Sequence, residues 1–215
     1  GESALDASVS GANNTAIGKE ALTDLTSGAG NVCVGTSSGL EITTGSNNTA
    51  VGVSSLFTQT TASDNTAFGR STLKLNTSGN SNVAVGKDAL HSNTTASNNT
   101  AVGHDALQAN TTGTANVAVG AFALEDNTTA DNNTAVGMNA ARNLTTGSEN
   151  TAIGKSALDQ STTAASCVAV GFQALFYNTD GGENTAVGKN ALVNNTTAHN
   201  NTAVGKDALF ANTTG

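Results

Sequence analysis

The amino-acid sequence predicts an all-β chain folded as a parallel β-solenoid, or β-roll, with 17 residues in each coil. Three observations lead to this fold class. A glycine recurs every 17 residues from Gly18 to Gly205, without insertion or deletion. A short segment of small and β-branched residues precedes each of these glycines, and the 215 residues include no proline. The period gives about 12.5 coils, so residues 1–215 are expected to form one uninterrupted repeat array.

The repeat unit reads N-[TV]-A-[VI]-G-x-x-A-L-x-x-N-T-T-[GA]-x-x. The residues that occupy one position of successive units are called a column. Before the glycine come the first Asn column (four residues before it, Asn in 11 of 12 units), the Thr/Val column, the Ala column and the Val column. After the glycine come the Leu column (four residues after it), the second Asn column (seven after), the Thr column (eight after) and the Gly/Ala column (ten after).

The T-A-V-G segment alternates and is rich in β-branched residues, which predicts a short strand in each unit. The N-T-T-[GA] segment predicts a second strand or a corner, closed by a residue that permits tight turning. A repeat of two helices needs about 33 residues or more, so the unit is too short for one. Units of equal length place each coil over the last in register, about 4.8 Å apart.

The missing proline and the first Asn column fit this stacking. Each coil is expected to exchange main-chain hydrogen bonds with both neighbours, and proline would remove a donor. Identical amides stacked at strand spacing can bond one another along the axis as a ladder. The Asn and Thr residues are therefore interpreted as structural rather than catalytic.

The strand looks covered on both faces. One face carries the Thr/Val and Val columns, the other carries Asn, Ala and Gly, and neither is charged in most units. A half-buried strand would have polar residues on its outer face. One face should pack against the Leu column of its own coil. The other face should pack against something outside the coil, and an identical chain would provide it, which favours a homo-oligomer.

The columns N-[TV]-A-[VI]-G-x-x-A resemble the YadA-like head repeats of trimeric autotransporter adhesins. With A-L and N-T-T-G following, they are also similar to repeat arrays of bacteriophage tail fibres and related bacterial surface fibres. The resemblance covers the whole chain and recurs in 12 units. It implies a left-handed coil, a homotrimer and a location outside the cell or on a virion. The coil is longer than in the adhesins, and adhesin and phage-type fibre both remain open.

Composition excludes several partners. The formal net charge of −8 disfavours nucleic acid and anionic lipid. No apolar run approaches the roughly 20 residues of a membrane span, so this segment is not expected to insert. The three histidines lie in different columns, and no nucleophile–base set or phosphate-binding loop is present. We therefore expect no enzyme activity, no catalytic residue, no cofactor and no metal site.

The variable columns, which lie one, two, five and six after the glycine, offer one candidate site, an apolar stripe near the C-terminal end. Its members are Phe172, Phe176, Tyr177, Val193 and Phe210. The stripe is interpreted as a contact between subunits or a larger core, with a docking patch for a ligand as the functional alternative. Cys33 and Cys167 are nearly eight coils apart, too far for an intrachain disulfide.

Three functions follow from this sequence. The first is a shaft or spacer of an extracellular or virion fibre that projects a receptor-binding region. The chain starts and stops inside a unit, which predicts that it is part of a longer fibre. The second is an adhesive head whose variable columns bind a cell-surface ligand. A third and remote alternative is ice binding by stacked Thr columns.

Overall fold

Each T-A-V segment forms a three-residue strand directly before its glycine. The computed structural model describes all residues, 1–215, and contains twelve strands and no helix. The strands are β1 Thr15–Ile17, β2 Val32–Val34, β3 Thr49–Val51, β4 Thr66–Phe68, β5 Val83–Val85, β6 Thr100–Val102, β7 Val117–Val119, β8 Thr134–Val136, β9 Thr151–Ile153, β10 Val168–Val170, β11 Thr185–Val187 and β12 Thr202–Val204.

The strands form one parallel sheet in chain order, from β1 to β12. Ala84 of β5 pairs with Ala101 of β6, and every other pair of neighbouring strands is joined at the same offset of 17 residues. The predicted parallel β-solenoid with one unit per coil is therefore confirmed. Twelve strands give eleven turns from the first strand to the last. This is fewer than the roughly 12.5 coils expected from the period, because the residues that flank the strands at both ends stack on the end coils without adding a strand.

The segment after the glycine is a turn with an unusual backbone. In every coil, the residue two after the glycine and the residue in the Leu column have positive φ, as in Asp105 (54°) and Leu107 (52°). Residues with positive φ alternate here with residues of ordinary φ. As a result, the N–H groups of the residues two and four after the glycine point towards opposite ends of the rod axis. The N–H of Asp105 donates to the carbonyl of Lys87 in the preceding coil (3.1 Å), and that of Leu107 donates to the carbonyl of Ala123 in the next (3.0 Å). Main-chain bonds between coils therefore continue outside the sheet.

The core lies between the sheet and this turn. The Ala and Leu columns form its main body and are almost wholly buried, as are Ala101 and Leu107. The Ala face of the sheet is thus the inner one, and the Thr/Val and Val columns point outward. The N-T-T-[GA] segment forms a corner and not a second strand.

Two coils lack the leucine of the Leu column, and both contain a large apolar residue three positions later. Gly39 is accompanied by Ile42, and Ala141 by Leu144, and both large side chains are fully buried. An added Cβ at Gly39 would lie 3.0 Å from Cδ1 of Ile42. Ile42 and Leu144 thus supply apolar volume to coils that would otherwise lose it.

Both Asn columns form buried ladders, the first of them as predicted. In the first column, Oδ1 of Asn82 accepts the main-chain N–H of Asn99 (3.0 Å). In the second, Nδ2 of Asn110 donates to Oδ1 of Asn93 (3.0 Å). The two columns meet at the Gly/Ala column, where the carbonyl of Gly113 accepts Nδ2 of Asn99 (2.8 Å) and of Asn110 (3.0 Å). Each coil is therefore closed by amide bonds as well as stacked by them.

Candidate binding surface

The predicted apolar stripe is partly assembled. Phe176, Val193 and Phe210 occupy the same position on successive coils, and the N–H of Tyr177 donates to the carbonyl of Val193 (3.0 Å). Val193 is buried, whereas Phe210 is exposed. This part of the stripe follows the rod axis over three coils.

Tyr177 projects from the stripe into solvent and is 49% exposed. Its ring packs edge-on against Phe176, with ring centroids 4.7 Å apart. Phe172 occupies a different column, directly after Gly171, and Nζ of Lys189 lies 5.7 Å from its ring centroid. No ring contact joins Phe172 to Phe176 or Tyr177.

The one groove on the molecule runs along the rod beside Tyr177 and has a volume of about 720 Å³. One wall is formed by residues six after the glycine, and the other by the Thr column. The groove is lined by Asn143, Gln160, Tyr177, Asn194, Thr162, Thr179, Thr196 and Thr213. None of these side chains is charged.

The groove lies in the last five units, where the residues six after the glycine differ from those of the earlier units. Earlier units have Leu75, Ser92, Ala109 or Asp126 there. From Asn143 onward the position holds an amide or a tyrosine in four consecutive units. These amide and tyrosine side chains form one wall opposite the invariant threonines.

Hydrogen bonds within the groove leave many groups free. The hydroxyl of Thr179 donates to the carbonyl of Thr196 (3.1 Å), and that of Thr196 donates to the carbonyl of Thr213 (3.1 Å), so their oxygens remain available as acceptors. Nδ2 of Asn194 donates to the carbonyl of Phe210 (2.8 Å), and Asn143 makes no side-chain hydrogen bond. The groove therefore offers both donors and acceptors to a ligand.

Charged groups lie near the groove without lining it. Nε of Arg142 pairs with Oε2 of Glu125 at 2.6 Å. Asp159 is 5% exposed, and its carboxylate accepts Nε2 of Gln160 (3.3 Å). Burial raises the pKa of Asp159, opposed by its hydrogen bond with Ser156 and by the Arg142 charge.

The other titratable groups are dispersed. No group of three or more His, Cys, Asp or Glu side chains is placed to hold a metal ion. Nδ1 of His104 lies 3.1 Å from Asp105, and its ring packs edge-on against Phe122. Both cysteines are free and buried, and burial raises the pKa of the Cys33 thiol to about 12. The structure contains no helix that is long and apolar enough to span a membrane.

The sequence interpretation missed half of the groove. It included the position six after the glycine among the variable columns, and Tyr177 in the stripe. For the Thr column the sequence predicts a structural role, with ice binding as the remote alternative, and no contact with the position six after the glycine. Four consecutive units with Asn, Gln, Tyr and Asn beside an invariant threonine were the available signal.

The chain was compared with protein-family models, curated proteins and solved structures. None of the three comparisons found a match.

Proposed function

We infer that this chain is part of the shaft or spacer of an extracellular or virion fibre, assembled as a left-handed homotrimer that projects a receptor-binding region. The observation that carries the proposal is the unbroken parallel ladder of twelve strands along one axis. A rod of this kind sets a fixed distance between what lies at its two ends.

The hydrogen bonding supports a stiff rod. The chain has 134 main-chain hydrogen bonds, most of them outside the strands. Because bonds join neighbouring coils at the sheet, the turn and the corner, bending the rod would open bonds on at least one side. Eleven steps of about 4.8 Å give a sheet about 53 Å long.

The outer face of the sheet supports assembly of several chains. The Val column leaves large apolar side chains in solvent, with Ile17 59%, Phe68 54% and Ile153 41% exposed. Neither outward column contains a charged residue in any coil. A continuous exposed apolar surface of this length is typical of an interface. The number three comes from the resemblance to trimeric head repeats.

Two measurements on the full chain test the proposal. Negative-stain electron microscopy should show straight rods, and sedimentation equilibrium should give three times the 21.1 kDa chain mass. Compact round particles would exclude a shaft. A stable monomer would exclude the trimer.

The second candidate function is an adhesive head that binds a surface ligand, favoured by the exposed Tyr177 beside the groove. Ice binding by the Thr column has less support. The hydroxyls of that column donate their hydrogens to main-chain carbonyls of the next coil, as Thr94 does to Thr111 (3.0 Å), so each can only accept a hydrogen bond from water and cannot donate one.

A further inference from the structure

We propose that the groove between Tyr177 and the Thr column is a binding site for a neutral glycan chain that lies parallel to the rod axis. The inference rests on the groove of a single chain and does not depend on the fibre role or on the number of subunits.

The hydrogen-bonding groups of the groove match hydroxyl-rich ligands. The Asn143 amide is unbonded, and Oδ1 of Asn194 and the hydroxyl oxygens of Thr179 and Thr196 are free to accept. A sugar hydroxyl is one donor with two acceptor lone pairs, so it can bond amide and threonine groups on either wall.

Tyr177 supplies the apolar contact that a sugar ring needs. Sugar rings have a face of C–H groups, and an aromatic ring packs well against such a face. Tyr177 is half exposed, and its edge-on contact with Phe176 restricts the positions that its ring can adopt. A preorganised ring loses little conformational entropy on binding.

The charge of the groove favours a neutral ligand. All eight lining side chains are uncharged, in a chain with a formal net charge of −8. A polyanion would be repelled by the net charge, and a polycation would find no carboxylate within the lining. A neutral chain meets neither obstacle.

The main chain along the groove disfavours an extended peptide as the occupant. Strand addition requires unpaired N–H and C=O groups. The N–H of Thr179 donates to the carbonyl of Thr196 (2.9 Å), and that of Thr162 donates to the carbonyl of Thr179 (3.0 Å). Recognition must therefore rely on side chains, as a glycan requires.

The repeat of the wall suits a polymeric ligand. The lining residues span four coil steps, or about 19 Å. A sugar ring in an extended chain occupies about the length of one coil rise, so successive rings can meet equivalent threonines. The observed groove could thus contact several sugars at once.

The test is affinity electrophoresis of the full chain in native gels that contain hydroxyethyl cellulose, galactomannan or dextran, with hyaluronate as the charged comparison. At least one neutral polysaccharide should retard the chain. Tyr177→Ala and Asn194→Ala, made separately, should each weaken the retarding affinity, by about ten-fold for the tyrosine.

The matched control is Leu75→Ala, which changes the same position of an earlier unit outside the groove and should leave retardation unchanged. Circular dichroism confirms that each variant is folded. If only one of Tyr177→Ala and Asn194→Ala folds, the retardation of that variant is sufficient to test the site. No retardation by any of the three neutral polymers would overturn the proposal. Retardation by hyaluronate alone would also overturn it. The same holds if a neutral polysaccharide retards folded Tyr177→Ala as strongly as it retards the parent chain.

Discussion

At the scale of single residues, the backbone of the turn is the most demanding feature of this chain. A left-handed backbone at a non-glycine residue costs about 1–2 kcal/mol, and Leu107 adopts it in the middle of the core. The leucine side chain is fully buried and its N–H bonds the next coil. Burial and the hydrogen bond together offset the strain, and Gly39 avoids the strain altogether.

Gly103 illustrates the opposite demand, for a residue without a side chain. Its φ of 143° and its packing both require glycine, because an added Cβ would lie 2.5 Å from the carbonyl oxygen of Gly120. The obstacle is main chain and cannot rotate away. The strict glycine period therefore reflects close contact between coils as well as turning.

We predict that both thiols are unreactive in the folded chain. Burial raises the pKa of Cys33 from its ordinary 9.0 to about 12, so almost no Cys33 thiolate exists at pH 8, and burial also raises the pKa of Cys167. An aromatic disulfide reagent should label neither thiol until denaturant is added. Thr95→Cys, at an exposed corner, is the positive control, and rapid labelling of the unmodified native chain would contradict the prediction.

The same shift has a consequence for stability. The folded state disfavours the thiolate of Cys33, so the protonated thiol contributes to the free energy of unfolding. That contribution is complete below pH 9 and is lost as the pH rises towards about 12. Cys33→Ala should reduce this alkaline loss.

At the scale of one coil, the Leu column and the second Asn column are coupled. Asn127 has the one buried side-chain polar atom without a partner, its Oδ1. The next residue of its column is Leu144, whose side chain has no N–H to donate and fills the volume that Ala141 leaves. Leu144 thus maintains the apolar packing of its coil, and the amide ladder loses the hydrogen bond that Oδ1 of Asn127 would accept.

We predict that exchanging these two residues restores the ladder. Leu144→Asn alone should destabilise the chain by about 2–5 kcal/mol, because it leaves a cavity. Ala141→Leu alone should cost about 1–3 kcal/mol through overpacking. The double variant fills the core, and its new amide can donate to Asn127, so it should be near the parent.

Urea unfolding of the four chains measures the coupling free energy, which should be at least about 3 kcal/mol in favour of the pair, because the two single costs add to that or more while the double variant lies near the parent. Additive effects of the two substitutions would show that the residues are not exchanging roles.

At the scale of the whole molecule, the proposed trimer would be held together by the outer face of the sheet. We predict that Val102→Glu together with Val136→Glu dissociates the proposed trimer, because two carboxylates per chain would be buried without partners. Sedimentation equilibrium should then give the 21.1 kDa chain mass. Thr95→Glu, at an exposed corner, should keep the mass of the parent. An unchanged mass in the valine variant would place the interface elsewhere.

The period alone was sufficient to predict the parallel stack, the 17-residue coil and the first Asn ladder, because equal spacing forces like residues into register wherever neighbouring coils bond. It could not predict which strand face is buried, the left-handed backbone at Leu107 or the groove beside Tyr177. Those features depend on the path of the main chain within one coil. The repeat shows only which residues of neighbouring coils lie above one another. The path within a coil brings positions six and eight after the glycine to opposite walls, and only the folded chain shows that they face each other.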